Sequence, residues 1–283
     1  MGSTQGSTAW AGLVDDAALF PPGDAPMAEA VPAHRAHREA WYAELVGPFV
    51  VAAAKLGELT RTLDDRPLDV SITAPGGPAQ LSAAWGELPG TPIRPVAVEV
   101  AVPADLPITD LLRTLDERLP DEVLGFVEVP RGEESEAVLD ALAGTRYLAK
   151  FRTGGTVARA FPGEPELAAA ILGCVDRELP FKCTAGLHHA VRHTAPDTGF
   201  EHHGFLNVLL ATAAALDGDR GLARILAERS GERLAAAVAA LGGPRIAEVR
   251  RSFRSLGSCS VTEPLDDLAA LGLLDEPDTE GKD

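Results

Sequence analysis

Cysteine is scarce in this chain, and its scarcity excludes a fold built on disulfides. Three cysteines, Cys174, Cys183 and Cys259, occur in 283 residues, and none belongs to a CxxC pair. Small secreted domains that depend on disulfides carry several closely spaced cysteines. The opening residues also lack the basic and apolar regions of a signal peptide. We therefore expect a reduced, cytoplasmic protein, and its abundant glycine, alanine and proline are typical of a high-GC bacterial genome.

Basic residues are also few, because 25 lysines and arginines face 42 acidic residues, for a formal net charge of −17. A nucleic-acid binder needs a basic face that displaces counterions, so no nucleic-acid partner is expected. An anionic membrane surface is excluded on the same ground, and no apolar run reaches the roughly 18 residues of a membrane span. The expected partner is a small-molecule substrate, and homo-oligomerisation stays open.

No GxGxxG turn follows the first β-rich run, which disfavours a doubly wound dinucleotide-binding sheet. Short apolar runs instead alternate with amphipathic ones along the chain, a pattern that predicts parallel strands joined by helices. The β-rich runs lie at residues 12–22, 48–56, 68–75, 93–103, 122–130, 147–155, 180–189 and 251–261. Eight such units predict a single (β/α)8 (TIM) barrel domain over 1–275, followed by a flexible acidic tail at 276–283.

Helical spacing of apolar residues places helices between these runs. The first is predicted over 27–46. After the seventh run, a longer helical region is predicted over 203–216 and 221–241, before the last strand.

Two of the β-rich runs place a lysine where a short buried strand is expected. The segments are "LAKFRTGG", with Lys150, and "FKCTAGLHH", with Lys182. Burying an ammonium group is unfavourable unless it is paired. Side chains alternate along a strand, so Lys150 shares a face with Arg152, and Lys182 with Thr184.

Two glutamates complete the pattern, since Glu99 and Glu128 each stand between valines of a predicted strand. Polar residues at the carboxyl ends of barrel strands form the active sites of TIM-barrel enzymes. We therefore expect the lysines and glutamates to converge at the mouth of the barrel.

Such a cluster predicts lysine chemistry. Desolvation and a neighbouring ammonium lower the pKa of a lysine, and the neutral amine attacks a carbonyl carbon to form a Schiff base. One lysine would attack while the other lowers its pKa and binds an anionic group. Glu99, Glu128 or His188 would move protons. The alternative is a structural ion-pair lattice, in which the barrel is a non-catalytic scaffold or binding protein.

Three short segments give this pattern a family resemblance. "KFRTGG", "FKCTAG" and "LGSCS" resemble the last three strands of class I aldolases of the deoxyribose-phosphate aldolase type, over about a quarter of the chain. The resemblance implies a cofactor-independent lyase acting on a small anionic carbonyl compound, with Lys150 as the Schiff-base lysine and Lys182 as its electrostatic partner.

The same resemblance implies an anion-binding turn at Gly257, Ser258 and Ser260. Substrate contacts are expected from the residues that flank the two lysines, namely Arg152, Thr153, Gly154 and Thr184. The family's proton-shuttling aspartate has no clear equivalent here, so Glu99 or Glu128 would have to serve.

A histidine-rich segment after the seventh run supports a second hypothesis. Imidazoles and carboxylates bind Zn²⁺, Mn²⁺ or Fe²⁺, so the chain is alternatively a metal-dependent hydrolase, isomerase or lyase. The candidate ligands are His188, His189, His202 and Glu201. The segment contains no HExxH motif, and adjacent histidines of an extended strand point to opposite sides. Acid–base chemistry at a histidine without a metal stays open.

Two further expectations concern the ends of the barrel. Asp15 and Asp16 precede Pro21 and Pro22 and are expected in a surface turn, with inward-facing carboxylates of the first strand as the alternative. Cys259 lies in a reachable turn, but no histidine is predicted beside it to make it a nucleophile.

Overall fold

The computed structural model describes residues 9–274, and the predicted tail at 276–283 lies outside them. Within this range eight parallel strands close into a barrel in the order β1-β10-β7-β6-β5-β4-β3-β2. The predicted (β/α)8 barrel is confirmed. Its strands are β1 (Val14–Asp16), β2 (Val46–Ala52), β3 (Leu68–Ala74), β4 (Ile93–Ala101), β5 (Leu124–Glu128), β6 (Leu148–Arg152), β7 (Phe181–Thr184) and, after a small hairpin of β8 (His193–Thr194) and β9 (Glu201–His202), β10 (Phe253–Ser258).

Helices surround the barrel and cover its outer face. In chain order they are α1 (Met27–Glu39), α2 (Leu56–Thr62), α3 (Pro78–Gly86), α4 (Ile108–Arg118), α5 (Glu134–Leu142), α6 (Glu164–Asp176), α7 (Phe205–Leu216), α8 (Ala223–Leu226), α9 (Gly231–Ser252) and α10 (Thr262–Ala270). Among residues 9–274, no helix combines the length and the apolar character needed to cross a membrane. The main core lies between these helices and the outward-facing residues of the strands.

The structure corrects two predicted helices. The first ends at Glu39 rather than at 46, because Ala40 is extended and the chain turns through a 3-10 helix at Ala43–Leu45 to enter β2. The region 221–241 contains a short α8 and then α9, which continues to Ser252. Gly242 interrupts α9 with φ of 70°, a left-handed conformation that favours glycine, just before Pro244.

The helix predicted from 203 begins at Phe205. The hairpin strand β9 ends at His202, and Gly204 is the extended residue before the helix. A Cβ on Gly204 would lie 2.3 Å from the carbonyl oxygen of Ala190. This close approach lets the first amides of α7 donate to the preceding loop, from Phe205 to the carbonyl of His189 and from Leu206 to that of Ala190.

Asp15 and Asp16 do not form the expected surface turn, because both lie buried in β1. Alternation along the strand turns Asp15 into the barrel, where Ser255 donates to it at 2.8 Å. Asp16 faces the helical layer and accepts a 2.9 Å hydrogen bond from Nδ1 of His34, on α1. The two aspartates therefore point to opposite sides of β1, one into the barrel and the other towards α1.

We expect Gly125→Ala to destabilise the barrel by about 1–3 kcal/mol, because it overpacks a filled site. A Cβ at Gly125, in β5, would lie 2.6 Å from the ring of buried Tyr147. Urea denaturation measures the loss. Gly86→Ala is the matched control, since nothing lies within 4 Å of its Cβ position. Equal stability of the two variants would contradict this packing account.

Candidate active site

Five ionisable side chains, from five different strands, form a continuous chain of ion pairs inside the barrel. Nζ of Lys182 lies 2.5 Å from Oδ2 of Asp15 and 2.6 Å from Oε1 of Glu99. Nζ of Lys150 lies 2.9 Å from the other oxygen of Glu99 and 3.0 Å from Oε2 of Glu128. The predicted convergence of the four lysine and glutamate side chains is therefore present. We call this set, with Asp15, the barrel ion chain.

Glu99 is the centre of the barrel ion chain, because both ammonium groups contact its carboxylate. Ser71 of β3 also donates to it at 2.9 Å. Burial by itself disfavours the ionised form, but Lys182 and Lys150 outweigh burial and hold the pKa of Glu99 well below its ordinary value. Glu99 is therefore a permanent carboxylate that binds two cations, rather than a group that readily gives up or takes a proton.

Lys182 is the more deeply buried of the two lysines. Its ammonium is held between two buried carboxylates and lies 5.2 Å from the centre of the Phe126 ring. Burial disfavours its charge, but Asp15 and Glu99 outweigh burial and raise the pKa of Lys182 above its ordinary value. Lys182 therefore stays a cation rather than becoming a neutral amine.

Lys150 and Glu128 form the solvent-accessible end of the barrel ion chain. The side chain of Lys150 is 7% exposed, against 1% for Lys182, and Glu128 is 25% exposed. The backbone register agrees, since Glu128 and Lys150 are paired at the carboxyl ends of β5 and β6. Lys150 is thus the amine that a molecule arriving at the barrel mouth reaches first, with a partly solvated carboxylate beside it.

The residues that flank the lysines divide into two groups. Thr153 is fully buried, and its hydroxyl donates to the carbonyl of Ala185 at 2.6 Å. Gly154 packs against the loop after β7, where a Cβ would lie 2.8 Å from Cα of Gly186. Both tie neighbouring loops together. Arg152 is exposed at the mouth and, among the described residues, has no carboxylate within ion-pair distance.

The predicted anion-binding turn after β10 uses its hydroxyl groups internally. Ser258 donates to the carbonyl of Ser260 at 2.6 Å, and Ser260 accepts from the backbone amide of Glu263 at the start of α10. Gly257 leaves room for Thr184, whose Oγ1 would lie 2.9 Å from a Cβ there. These contacts give the turn a structural explanation that needs no bound anion.

His188 lies at this turn rather than at the barrel ion chain. Its Nδ1 is 3.0 Å from Oγ of Ser258, 3.3 Å from a carboxylate oxygen of Glu263 and 3.6 Å from Sγ of Cys259. Burial, only partly opposed by Glu263, lowers the pKa of His188. The expectation that no histidine stands beside Cys259 is wrong, although burial raises the pKa of that thiol to about 11 and keeps it protonated.

The four candidate ligands of the metal hypothesis form hydrogen bonds or ion pairs with different groups of the protein. His189 contacts Asp267 at 3.2 Å, and His202 contacts the carbonyl of Gly186 at 3.2 Å. Glu201 pairs with Arg229 and with the buried Arg192. Over residues 9–274, no three His, Cys, Asp or Glu side chains are arranged to hold a metal ion. The hypothesis therefore has no ligand set in this part of the chain.

Sequence reasoning missed two members of the site, Ser255 and Gly47, and ranked an inward Asp15 behind a surface turn. The local pattern assigns Asp15 to a turn, although its place in "GLVDDAAL" is compatible with a short alternating strand. Ser255 supports Asp15, and Gly47 makes room for it, since a Cβ there would lie 2.3 Å from Oδ1 of Asp15. No local signal marks these two residues, because their roles depend on which strands become neighbours.

Neither the protein-family models nor the curated proteins compared with this chain match it. The barrel is a fold that commonly carries enzymes, with functional side chains at the carboxyl ends of its strands. Because one fold hosts many activities, the site itself has to carry the functional argument.

We expect Glu99→Gln to destabilise the protein by about 3–5 kcal/mol, because it removes a carboxylate shared by two buried ammonium groups. Since the folded pKa of Glu99 is depressed, its contribution is full above the ordinary value of 4.5 and is lost as pH falls towards the folded pKa. The stability gap between wild type and variant should therefore be constant near neutral pH and narrow only in acid.

Urea denaturation across pH measures this gap. Glu122→Gln, which neutralises an exposed acid just before β5, is the control and should change stability little. A gap that is absent at neutral pH, or that widens in acid, would refute the assigned role of Glu99.

Proposed function

We propose that this protein is a lyase that forms a Schiff base between Lys150 and a small anionic carbonyl compound. The observation that carries the proposal is the position of the Lys150 ammonium. It lies between a buried carboxylate, Glu99, and a partly exposed one, Glu128, at the mouth of the barrel. One partner is enclosed by the barrel, and the other reaches solvent.

Composition supports a chemical use of the lysines. The chain has only four, Lys55, Lys150, Lys182 and Lys282, among 25 basic residues, so its other cations are arginines. Arginine suits structural ion pairs because its guanidinium is always charged and forms bidentate bonds. A Schiff base requires a primary amine instead. Half of the rare lysines stand together at the centre of the barrel, where both cations of the barrel ion chain are lysines.

Imine formation requires two proton transfers between Lys150 and Glu128, and these restore the charges of both groups. Lys150 passes a proton to the carboxylate of Glu128, and the neutral amine attacks the carbonyl carbon to form a carbinolamine. Glu128 returns its proton to the departing hydroxyl, water leaves, and a protonated imine remains on Lys150. The imine carries the same single positive charge as the ammonium did, so Lys150 is again a cationic partner of Glu99 once the imine has formed.

Lys182 contributes by staying charged. Its ammonium pairs with Asp15 and with one oxygen of Glu99, and this pairing keeps Glu99 ionised beside the protonated imine. The imine then accepts the electron pair of a neighbouring carbon–carbon bond as that bond breaks, leaving an enamine. The departing carbon becomes a carbonyl as its hydroxyl gives its proton to the carboxylate of Glu128. Arg152, exposed on the same strand face as Lys150, is placed to bind a carboxylate or phosphate of the substrate.

The non-catalytic scaffold is the second candidate, since it predicts the same pairing of both lysines with carboxylates. Buried ion pairs seldom stabilise a fold more than apolar residues of similar size would. A purely structural lattice also has no need of an open end. The partial exposure of Glu128 favours chemistry, and trapping of the imine decides between the two.

We expect sodium borohydride, added with acetaldehyde, dihydroxyacetone or pyruvate, to fix a covalent adduct on Lys150. Reduction converts the imine into a stable secondary amine, which intact-mass and peptide-mass spectrometry detect. Lys150→Met should abolish the adduct. Lys55→Met, which removes the exposed lysine at the same end of the barrel, should leave it unchanged. Wild-type protein without an adduct at Lys150 for any of the carbonyl probes would overturn the proposal.

We expect Glu128→Gln to slow imine formation about 100-fold or more, because it removes the proton acceptor beside the amine. Quenching the reaction with borohydride at successive times gives the rate. Since Glu128 is partly exposed, the same change should cost at most about 1 kcal/mol of stability. Glu122→Gln is again the control. An unchanged rate would remove Glu128 from the mechanism.

A further inference from the structure

A second concave site lies at the opposite end of the barrel, where β2, β3 and β4 begin. It is a cavity of about 380 Å³, which is within the size range of small-molecule sites. The last turns of α1 form one wall, and the first residues of the three strands form the other. The cavity is separate from the barrel mouth, so a ligand bound in it would not depend on the proposed lyase activity.

Arg38, on α1, supplies an uncompensated positive charge to this cavity. One nitrogen of its guanidinium, Nη1, donates to the carbonyls of Ala43 at 3.1 Å and Val46 at 2.6 Å. Over residues 9–274, no carboxylate lies within 4 Å of Arg38. A guanidinium has five N–H donors. Arg38 is thus fixed in place through one nitrogen, and its other nitrogens have no hydrogen-bond partner among those residues.

The other charged groups of the wall are already paired. Arg94 pairs with Asp69 at 2.5 Å, and the carboxylate of Glu39 lies 3.6 Å from Arg66. Arg35, the remaining arginine of the wall, pairs with Asp64 at 2.9 Å. Among the described residues of the wall, Arg38 is therefore the cation without an ion-pair partner, and every carboxylate is paired. This excess of positive charge contrasts with the formal net charge of −17 of the chain.

His34 provides a second fixed polar group. It lines the cavity and is almost fully buried, and its Nδ1 donates to the buried carboxylate of Asp16 at 2.9 Å. An ionised carboxylate only accepts hydrogen bonds, so Nδ1 carries the hydrogen and Nε2 is the ring nitrogen left for a ligand. Asp16 in turn accepts from the amide of Ala18 at 3.1 Å, which fixes its orientation.

We propose that this cavity binds a small organic oxyanion, with a phosphate or carboxylate group on Arg38 and His34 and an apolar body against the strand ends. Arginine's planar fork matches two oxygens of either group. The apolar wall is supplied by Pro48, Pro67, Leu68 and Val96. A ligand here would be an effector or second substrate, because the barrel ion chain faces the other end of the strands.

Isothermal titration with phenyl phosphate tests the site at neutral pH. Benzoate tests a carboxylate in place of the phosphate, and benzyl alcohol supplies the apolar body without charge. We expect at least one anion to bind and benzyl alcohol not to. Arg38→Met should weaken binding about tenfold or more, as the loss of a charge-assisted bidentate contact does. Arg113→Met, at an exposed arginine of α4, is the matched control and should bind like wild type.

Lys150→Met keeps this test independent of the lyase proposal. Binding that survives Lys150→Met and is lost in Arg38→Met supports the cavity. Binding that is lost in Lys150→Met places the anion at the barrel mouth and overturns the inference. No binding by either anion, or equal affinity of wild type and Arg38→Met, also overturns it.

Hydrogen exchange on the wild-type protein covers the case in which Arg38→Met fails to fold. Phenyl phosphate should protect the amides of Gly47, Leu68 and Asp69, which line the cavity. Protection confined to the loops after β6, β7 and β10 would contradict the proposed site.

Discussion

The carboxylate shared between Lys150 and Lys182 is the interaction on which the interior of this barrel depends. A buried carboxylate alone is strongly unfavourable, and each ammonium that neutralises Glu99 needs a further carboxylate of its own. The result is an alternating chain of five charges contributed by five strands. Because neighbouring members share partners, removing one of them takes an ion-pair partner from at least one neighbour inside the barrel. The charges therefore also hold the strands in one register, since a shift by one residue would turn them outward.

The chain of charges has a closed end and an open end, and this asymmetry gives it a chemical use. Lys182 is sealed between Asp15 and Glu99 and keeps its proton. Lys150 shares Glu99 but reaches the mouth beside the partly exposed Glu128. One lysine thus sets the electrostatic field, and the other is accessible to a carbonyl compound. The histidine-rich connection lies to one side, where His188 and the residues around it bind the turn after β10 and the start of α10.

Much of the fold followed from local pattern, and the errors have physical causes. Alternation of apolar runs predicted eight βα units, and strand alternation predicted that Lys150, Lys182 and Glu99 face inward. The helix predicted to 46 ended at Glu39, because the chain had to turn back before β2 could enter the barrel. The surface turn predicted for Asp15 and Asp16 was wrong, because two adjacent carboxylates are locally typical of an exposed turn. Each is stabilised by a residue distant in sequence, Lys182 or His34.

The sequence by itself determined the alternation of eight strands with helices and the inward face of the strands, because both depend on the spacing of apolar residues along the chain. It also determined the scarcity of lysine that makes the two buried amines stand out. Only the tertiary structure decided which carboxylate pairs with which ammonium, which lysine is more deeply buried, and to which groups the histidines hydrogen-bond. It alone also revealed the cavity around Arg38. The contacts among the charges depend on closure of the barrel, which brings β1 beside β10 and makes neighbours of Asp15 and Ser255, 240 positions apart.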